Sequence, residues 1–302
     1  MSFHLFGNIL TSYGTAANNR GENEGNITTL QKLFWKGDVH TTVSAEAIRW
    51  ALRYYWQTCG NGYQVNRQWN DAKNDNIWQN DNFDEETYID DDVLGYMKAE
   101  AAKSEGSDEP KKGKKREKGT TTAKRGVLEV TRAVSMVPFE GDITFNAKSG
   151  QKGTTSLYGT EVHATRYQYG FALTPDRLKD KSRIIGVLDG LTSIGEVGGN
   201  QARFLYDFSP ESLVLRWTHD FSPRFLYCFQ EEDGEISIPD LLRRVQAGDI
   251  EANELWIAGA IAQSDAGEML EELGANVFVG IKTAVQNVKR VIAEDLDLEE
   301  LA

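Results

Sequence analysis

Val43-Ser44-Ala45-Glu46-Ala47-Ile48-Arg49-Trp50-Ala51-Leu52-Arg53 is the stretch around which the rest of this 302-residue chain arranges itself. Ser44 stands where a helix N-cap accepts a backbone hydrogen bond, and Glu46 sits in the first turn, where the helix dipole favours a carboxylate. Neither Gly nor Pro interrupts the run before Gly60-Asn61-Gly62 ends it. Ile48, Ala51, Leu52 and Tyr55 form one apolar stripe, which leaves Arg49 and Arg53, four residues apart, on a neighbouring face.

Working outward, Phe3, Leu5 and Ile9 alternate with polar residues such as His4 and Asn8 as far as Thr11, the period-two pattern of a strand entering a core. Between strand and helix lies a polar loop containing Asn18-Asn19-Arg20-Gly21-Glu22-Asn23-Glu24-Gly25-Asn26. Glycines let backbone amides approach an anion, and asparagines tolerate left-handed backbone while offering side-chain amides. Strand, polar loop and capped helix suit holding a phosphate better than breaking a bond. The plainer reading makes Arg20 a solvated arginine and pairs Arg49 or Arg53 with a carboxylate such as Glu46, worth ~0–1 kcal/mol at a surface.

Composition restricts the options. Hydrophobic content of 40% with 26% charged residues fits a soluble globular chain long enough for one elaborated domain or two. No apolar run approaches a membrane span, the start lacks the pattern of a signal peptide, and two cysteines are too few for a disulfide framework. A cytoplasmic location is therefore expected. The net charge of −13 at first argues against nucleic acid. Residues 231 to 302, however, hold 17 Asp+Glu against 5 Lys+Arg, so residues 1 to 230 are near balance with 29 against 28. Local basic surfaces remain available there.

Further along, residues 60 to 125 depart from core composition, with an Asn/Asp/Trp-rich stretch, the acidic run Asp90-Asp91-Asp92, a helical piece at 93 to 102 and the basic run 111 to 118. The acidic run reads as an exposed segment, because adjacent carboxylates seldom converge on a metal. The basic run reads as a solvated loop or as a weak contact with DNA. Strands are expected at 127 to 137 and 162 to 173, where Tyr167, Tyr169 and Phe171 share a face, with a flexible loop at 141 to 156 between them. A helix at 176 to 194 precedes strand-like pieces at 202 to 208, 213 to 219 and 224 to 229. The tail alternates: helix 239 to 247, strand 255 to 262, helix 264 to 273, strand 276 to 279 and a helix to about 293. Strand, helix, strand, strand, helix, strand, with insertions, fits an α+β, modified ferredoxin-like (RRM-like) core.

The succession Asn19-Arg20-Gly21-Glu22, Gly25-Asn26-Ile27-Thr28, Lys32 and the capped helix resembles the opening of the DevR-type CRISPR-associated proteins, the repeated backbone subunits of the type I guide-RNA surveillance complex, Cascade, with subtype I-B the expected one. The detailed match covers about the first 60 residues, with looser similarity after residue 125. The resemblance implies an RRM-like palm from residues 1–59 and 126–302, an inserted finger region at 60–125 with a charged loop at about 103–125, and a protruding thumb. For the thumb, 138 to 160 and the hairpins between 199 and 230 both remain open. It further implies CRISPR guide RNA, the target DNA strand, neighbouring copies, a large subunit and a guide-end-capping subunit as partners, with no cofactor and no membrane.

The implied nucleic-acid contacts are Asn18, Asn19, Arg20, Gly21, Asn26, Lys32, Arg49, Arg53, Lys148, Lys152, His163, Arg166 and Arg203. His163 is also readable as a core histidine, and Lys148, Lys152 and Arg203 as ordinary surface charge. No metal-ligand spacing, nucleophile elbow or P-loop is present, so no enzymatic activity is expected. The rival reading is an RNA-cleaving backbone subunit using Asp142 or the run 90 to 92; a transcriptional regulator lacks a helix-turn-helix. The aromatic stacking signature of ordinary RRM proteins is missing, which points to contacts with the RNA backbone.

Overall fold

His4–Thr11 is buried along all eight residues because it runs through the middle of a nine-stranded sheet. The computed structural model describes residues 1–17, 23–99, 121–147, 157–197 and 206–298. Across the sheet the strands are Asn276–Phe278, Leu255–Gly259, Pro210–Thr218, His4–Thr11, Tyr167–Leu173, Ala133–Ser135, Asp38–Val43 and Lys32–Trp35, with Glu129–Val130 also pairing Tyr167–Leu173. Among the described residues of this sheet, only the pairing of Leu255–Gly259 with Asn276–Phe278 is parallel. Ile9 lies opposite Tyr169 on one side and Leu213 on the other.

Alternation sends the side chains of each strand to opposite faces. Leu5, Ile9, Tyr167, Tyr169, Phe171, Leu213 and Leu215 pack in a cluster with α1 (Ala45–Thr58), α3 (Arg183–Leu191) and α6 (Ile281–Asp295). Phe6, Leu10, Val214 and Ile257 face the other way and meet α4 (Pro239–Gln246), α5 (Asp265–Glu272) and the Phe225, Cys228 and Phe229 side chains. The sheet is thus covered on both faces. A second, five-stranded sheet contains the hairpin Ile143–Ala147 with Leu157–Thr165, the short strands Ile27–Thr28 and Asn23–Glu24, and Gly14–Ala17 on Leu157–Thr165.

The α1 helix forms as its sequence dictates: Ser44 Oγ accepts from Ala47 N at 3.2 Å. Trp56, not Tyr55, completes its buried stripe, with its indole N–H on the carbonyl of Gly186 at 2.9 Å. Upstream the expected loop contains a hairpin, Lys32–Trp35 with Asp38–Val43. Its two-residue turn is Lys36-Gly37, both at positive φ (52° and 103°), the geometry that matches strand twist.

Other expectations are corrected locally. The expected helix at 93 to 102 is instead α2 (Ile89–Val93) followed by the strand Gly95–Ala99, because Gly95 turns to a φ of 69° and the chain then pairs with Thr121–Arg125. The helix at 176 to 194 shortens to a 3-10 turn, Pro175–Arg177, and α3. The strand at 127 to 137 is two short ones, and the expected loop at 141 to 156 opens with the strand Ile143–Ala147. The segment 162 to 173 breaks at Arg166 between two sheets. The piece at 224 to 229 is no strand, with Arg224 and Tyr227 at positive φ. Residues 202 to 205 and the basic run 111 to 118 lie outside the described residues. Among the described residues no helix is long and apolar enough to cross a membrane.

The largest correction concerns Asp90-Asp91-Asp92, expected as an exposed segment and found buried within α2. Asp90 receives the Arg53 guanidinium at 3.1 Å and the backbone N–H groups of Asn66 and Arg67 at 2.7 and 3.0 Å. Asp92 receives Lys124 at 2.9 Å, Arg183 at 2.7 Å and the N–H of Lys179 at 3.0 Å. Asp91 accepts from the Asn66 amide and the Asp84 N–H at 2.8 and 2.9 Å. Three adjacent carboxylates are tolerable here because each has its own donors, so the run is neither a solvated surface nor free to ligate a metal.

Candidate nucleic-acid interface

The start of α1, the strand Gly14–Ala17 and the hairpin Arg67–Asn70 with Asp75–Trp78 enclose an open groove of ≈ 740 Å³. Ala16, Ala17, Gln31, Thr42 and Ser44 line one part, and Trp50, Arg53, Tyr54, Arg67 and Trp69 another. Tyr167 and Tyr206 also line it. The Tyr206 hydroxyl is fixed by Thr11 Oγ1 at 2.7 Å and the carbonyls of Ser12 and Thr165, both at 3.0 Å. That of Tyr167 meets Thr41 Oγ1 at 2.7 Å.

Among the expected contacts, Asn18, Asn19, Arg20, Gly21, Lys148, Lys152 and Arg203 lie outside the described residues. Their attachment points are informative nonetheless. Ala17, from which the 18–22 segment departs, lines the groove, as do Val197 and Tyr206, which bracket the segment containing Arg203.

Those described fall into two groups. Asn26, Lys32 and His163 gather along Leu157–Thr165. The Asn26 amide donates to the Leu157 carbonyl at 2.8 Å. The Lys32 ammonium reaches Glu161 at 2.5 Å and lies 4.7 Å from the Phe139 ring centroid. His163 is buried with Nδ1 2.7 Å from Thr41 Oγ1, and burial pushes its pKa below the usual 6.5, partly countered by the carbonyl of Pro138. A neutral core imidazole results, the plainer of its two readings. Arg166 sits at the break between the sheets, bonded to Glu211 at 2.5 and 3.2 Å and to Glu231 at 3.4 Å, 5.4 Å from the Tyr13 ring. The Glu211 carboxylate raises its pKa.

The two helix arginines differ. Arg53 lines the groove with its charge already met by Asp90. Arg49 donates to the Leu128 carbonyl at 3.0 Å, its Nε is buried without a partner, and it has no carboxylate partner among the described residues. Arg132 was not anticipated. Its guanidinium is exposed and bonds at 3.1 Å to Gln31 and to Thr42, both groove residues, with no carboxylate partner among the described residues. Arg67, Trp50, Tyr54, Trp69 and Asn76 are likewise additions. The Trp50/Tyr54 spacing of four was the one signal for them, since i,i+4 aromatics share a helix face. Among the described residues no group of three or more His, Cys, Asp or Glu is placed to hold a metal, and Asp142 is exposed.

The fold is similar to a chain of a CRISPR RNA-guided surveillance complex, with a TM-score of 0.54 and 13% identity, covering 95% of this chain and 99% of that one. A second, from a CRISPR RNA-guided surveillance complex, pre-nicking, gives a TM-score of 0.56 at 10% identity, covering 96% and 100%. No family model matches the chain. It is, however, 47% identical over 302 residues to the CRISPR-associated protein Cas7/Cst2/DevR of Myxococcus xanthus (strain DK1622), across 94% of this chain and 96% of that protein. The chain belongs to the CRISPR-associated Cas7/Cst2/DevR family.

Proposed function

We propose that this protein is the RNA-binding backbone subunit of a type I Cascade surveillance complex, repeated along a CRISPR guide RNA and presenting it to a target DNA strand. The observation that carries the reading is the groove: Ala17, next to the segment with Arg20, and Val197 and Tyr206, on either side of the segment with Arg203, all line it. Membership in the family and the end-to-end likeness to surveillance-complex chains support it.

In this reading the chain is not an enzyme and needs no cofactor. Arg20, the neighbouring Asn and Gly amides, Arg49 and Arg132 hold sugar-phosphate. Arg49 is preferred to Arg53, because a guanidinium without a carboxylate partner gives its full charge to a phosphate. Contacts of this kind position the strand and carry no sequence information, so recognition is left to base pairing. The strands His4–Thr11, Glu129–Val130 with Ala133–Ser135, Tyr167–Leu173 and Pro210–Thr218, with α1 and α3, form a ferredoxin-like palm, and residues 60–125 form its finger insertion. The hairpin Ile143–Ala147 with Leu157–Thr165 is the thumb: it exposes Phe145 and Leu157, apolar surface suited to a neighbouring copy. A large subunit and a guide-end-capping subunit complete the assembly.

Arg20→Ala combined with Arg49→Ala is expected to weaken binding equally for guides of unrelated sequence and to reduce the slope of log affinity against log salt by about 1 per lost phosphate contact. Filter binding across a salt series measures both. A loss confined to one guide sequence contradicts the proposed grip.

A further inference from the structure

Two strands pass from the nine-stranded sheet into the second sheet, and both break at the same level. His4–Thr11 stops and Gly14–Ala17 begins across Ser12 and Tyr13, while Leu157–Thr165 gives way to Tyr167–Leu173 at Arg166. Pairing is antiparallel on either side of the break, with Leu10 opposite Gln168 in one sheet and Gly14 opposite Thr165 in the other. A two-stranded ribbon thus turns from one sheet into the other, and such a ribbon has little stability of its own.

What ties the turn is found at Arg166. Its guanidinium is mostly buried and lies 5.4 Å from the Tyr13 ring, so the two strands touch through the residues of their own breaks. It forks onto Glu211 of Pro210–Thr218 at 2.5 and 3.2 Å and reaches Glu231 of the short strand Gln230–Glu232 at 3.4 Å. Three distant parts of the chain meet at one point. Two carboxylates face one guanidinium, which leaves the cluster net negative, and Glu231 keeps a buried oxygen with no hydrogen-bond partner. A phosphate would be repelled by that surplus, and the pair with Glu211 already occupies the fork of the guanidinium. Burial pushes the Glu231 pKa up, Arg166 pulls it down, and the Glu211 charge adds to the rise. Without the guanidinium the two carboxylates would repel each other, and the turn would open.

The consequence reaches the groove, because Ala16 and Ala17, beyond the break, line it. We propose that Arg166 is a positioning residue for RNA binding: paired with Glu211 and Glu231, it locks the turn between the sheets so that Gly14–Ala17 stays at the groove wall, and it does not itself touch the strand. This rests on the RNA-binding reading above and deepens it.

Two measurements on the intact chain test the lock. Without RNA, spin labels at Ala147→Cys in the second sheet and Gln286→Cys on α6, both exposed, should give one narrow distance distribution in a Cys59→Ser background, Cys228 being buried. Arg166→Ala and Glu211→Ala should each broaden it while the circular dichroism spectrum keeps its folded form. In filter binding of oligouridine across a salt series, both variants should bind on the order of 10-fold more weakly at an unchanged slope of log affinity against log salt. The double variant should be no weaker than either, since the two residues act as one unit. A direct phosphate contact predicts the opposite for the carboxylate: Glu211→Ala would free the cation and bind more tightly, and Arg166→Ala would lower the slope by about 1. That pattern, or a distance distribution that neither substitution changes, overturns the lock and leaves the grip standing. A wild type that binds no RNA overturns the RNA-binding reading, and with it the role of Arg166 there, whatever the distances show.

Discussion

Asp92→Asn is expected to lower the stability of the fold by about 3–5 kcal/mol in urea unfolding, whereas Asp91→Asn, one residue away, leaves it unchanged or raises it by about 1–3 kcal/mol at pH 7. The two carboxylates are equally buried, so burial cannot separate them. Their partners do. Asp92 faces two cations, Lys124 and Arg183, and Arg183 is itself buried. Neutralising Asp92 leaves the buried guanidinium facing the half-exposed Asp180 at 3.7 Å in place of its close, buried partner. Arg183 also donates to the carbonyls of Glu85 and Glu86, so the loss loosens the tie between the 84–93 segment and α3.

Asp91 has only neutral donors, Asn66 and the Asp84 N–H, both on the oxygen that an asparagine would also supply. Burial raises its pKa from 3.8 to about 6, against the opposing pull of those two hydrogen bonds. The pH dependence follows with opposite signs. As pH falls from 7 through about 6 toward 3.8, the folded chain takes up a proton at Asp91 before the unfolded chain does, so its penalty and the advantage of Asp91→Asn both shrink. For Asp92, burial pushes the pKa up, but the Lys179 N–H, Lys124 and Arg183 hold it below 3.8. Its contribution is present above 3.8 and is lost as pH falls through the depressed folded value. Urea titrations at pH 7 and pH 5 measure the Asp91 trend and a further one near pH 3 the Asp92 trend, and equal effects of the two substitutions would contradict the assignment.

Trp56→Ala is the second large effect, with an expected loss of about 3–5 kcal/mol. Trp56 is 1% exposed, packs in the main core and donates its indole N–H to the Gly186 carbonyl on α3. Truncation opens a cavity between the two helices and strips that carbonyl of its partner. Trp56→Phe should cost less, since it refills most of the volume. Because Trp56 points away from the groove, RNA affinity of the folded fraction should be nearly unchanged in both variants. Unfolding curves and binding measured on the same samples separate the two quantities, and a binding defect in fully folded Trp56→Phe would place this residue in the RNA contact.

The elements that the sequence made legible share a local cause. The α1 helix rests on Ser44 and an apolar stripe, and the central strand on a short run in which Leu5 and Ile9 take one face and Phe6 and Leu10 the other, both local signals. In the tail, α4 starts at Pro239 and ends before Gly248, and α5 ends before Gly274, so the sequence places both within a few residues. What was hidden depended on contacts far along the chain. Asp90, Asp91 and Asp92 look like surface until Arg53, Lys124 and Arg183 arrive from three different regions. The Lys36-Gly37 turn is hidden because Leu33-Phe34-Trp35 before it is a continuous apolar run without alternation.

The site divides the same way. Arg49 and Arg53 were placed on one helix face by spacing, but only packing shows that Asp90 takes Arg53 and that Arg49 has no carboxylate partner among the described residues. Arg132 carries no motif, and it meets the groove through Gln31 and Thr42 once the sheet has formed. Trp69 and Arg67 lay in a stretch read as unlike a core, and they gain meaning only from where α1 sets Trp50 and Tyr54.

The central claim is that this chain repeats along a guide RNA through sequence-independent contacts. Its most direct test is to purify the chain with the products of its neighbouring genes, extract the bound nucleic acid and sequence it. The account predicts RNA of uniform length with many different spacers joined to a common repeat-derived end, and a mass consistent with several copies of this chain per RNA. Protein that purifies free of RNA, or with a single copy bound to unrelated transcripts, would contradict it.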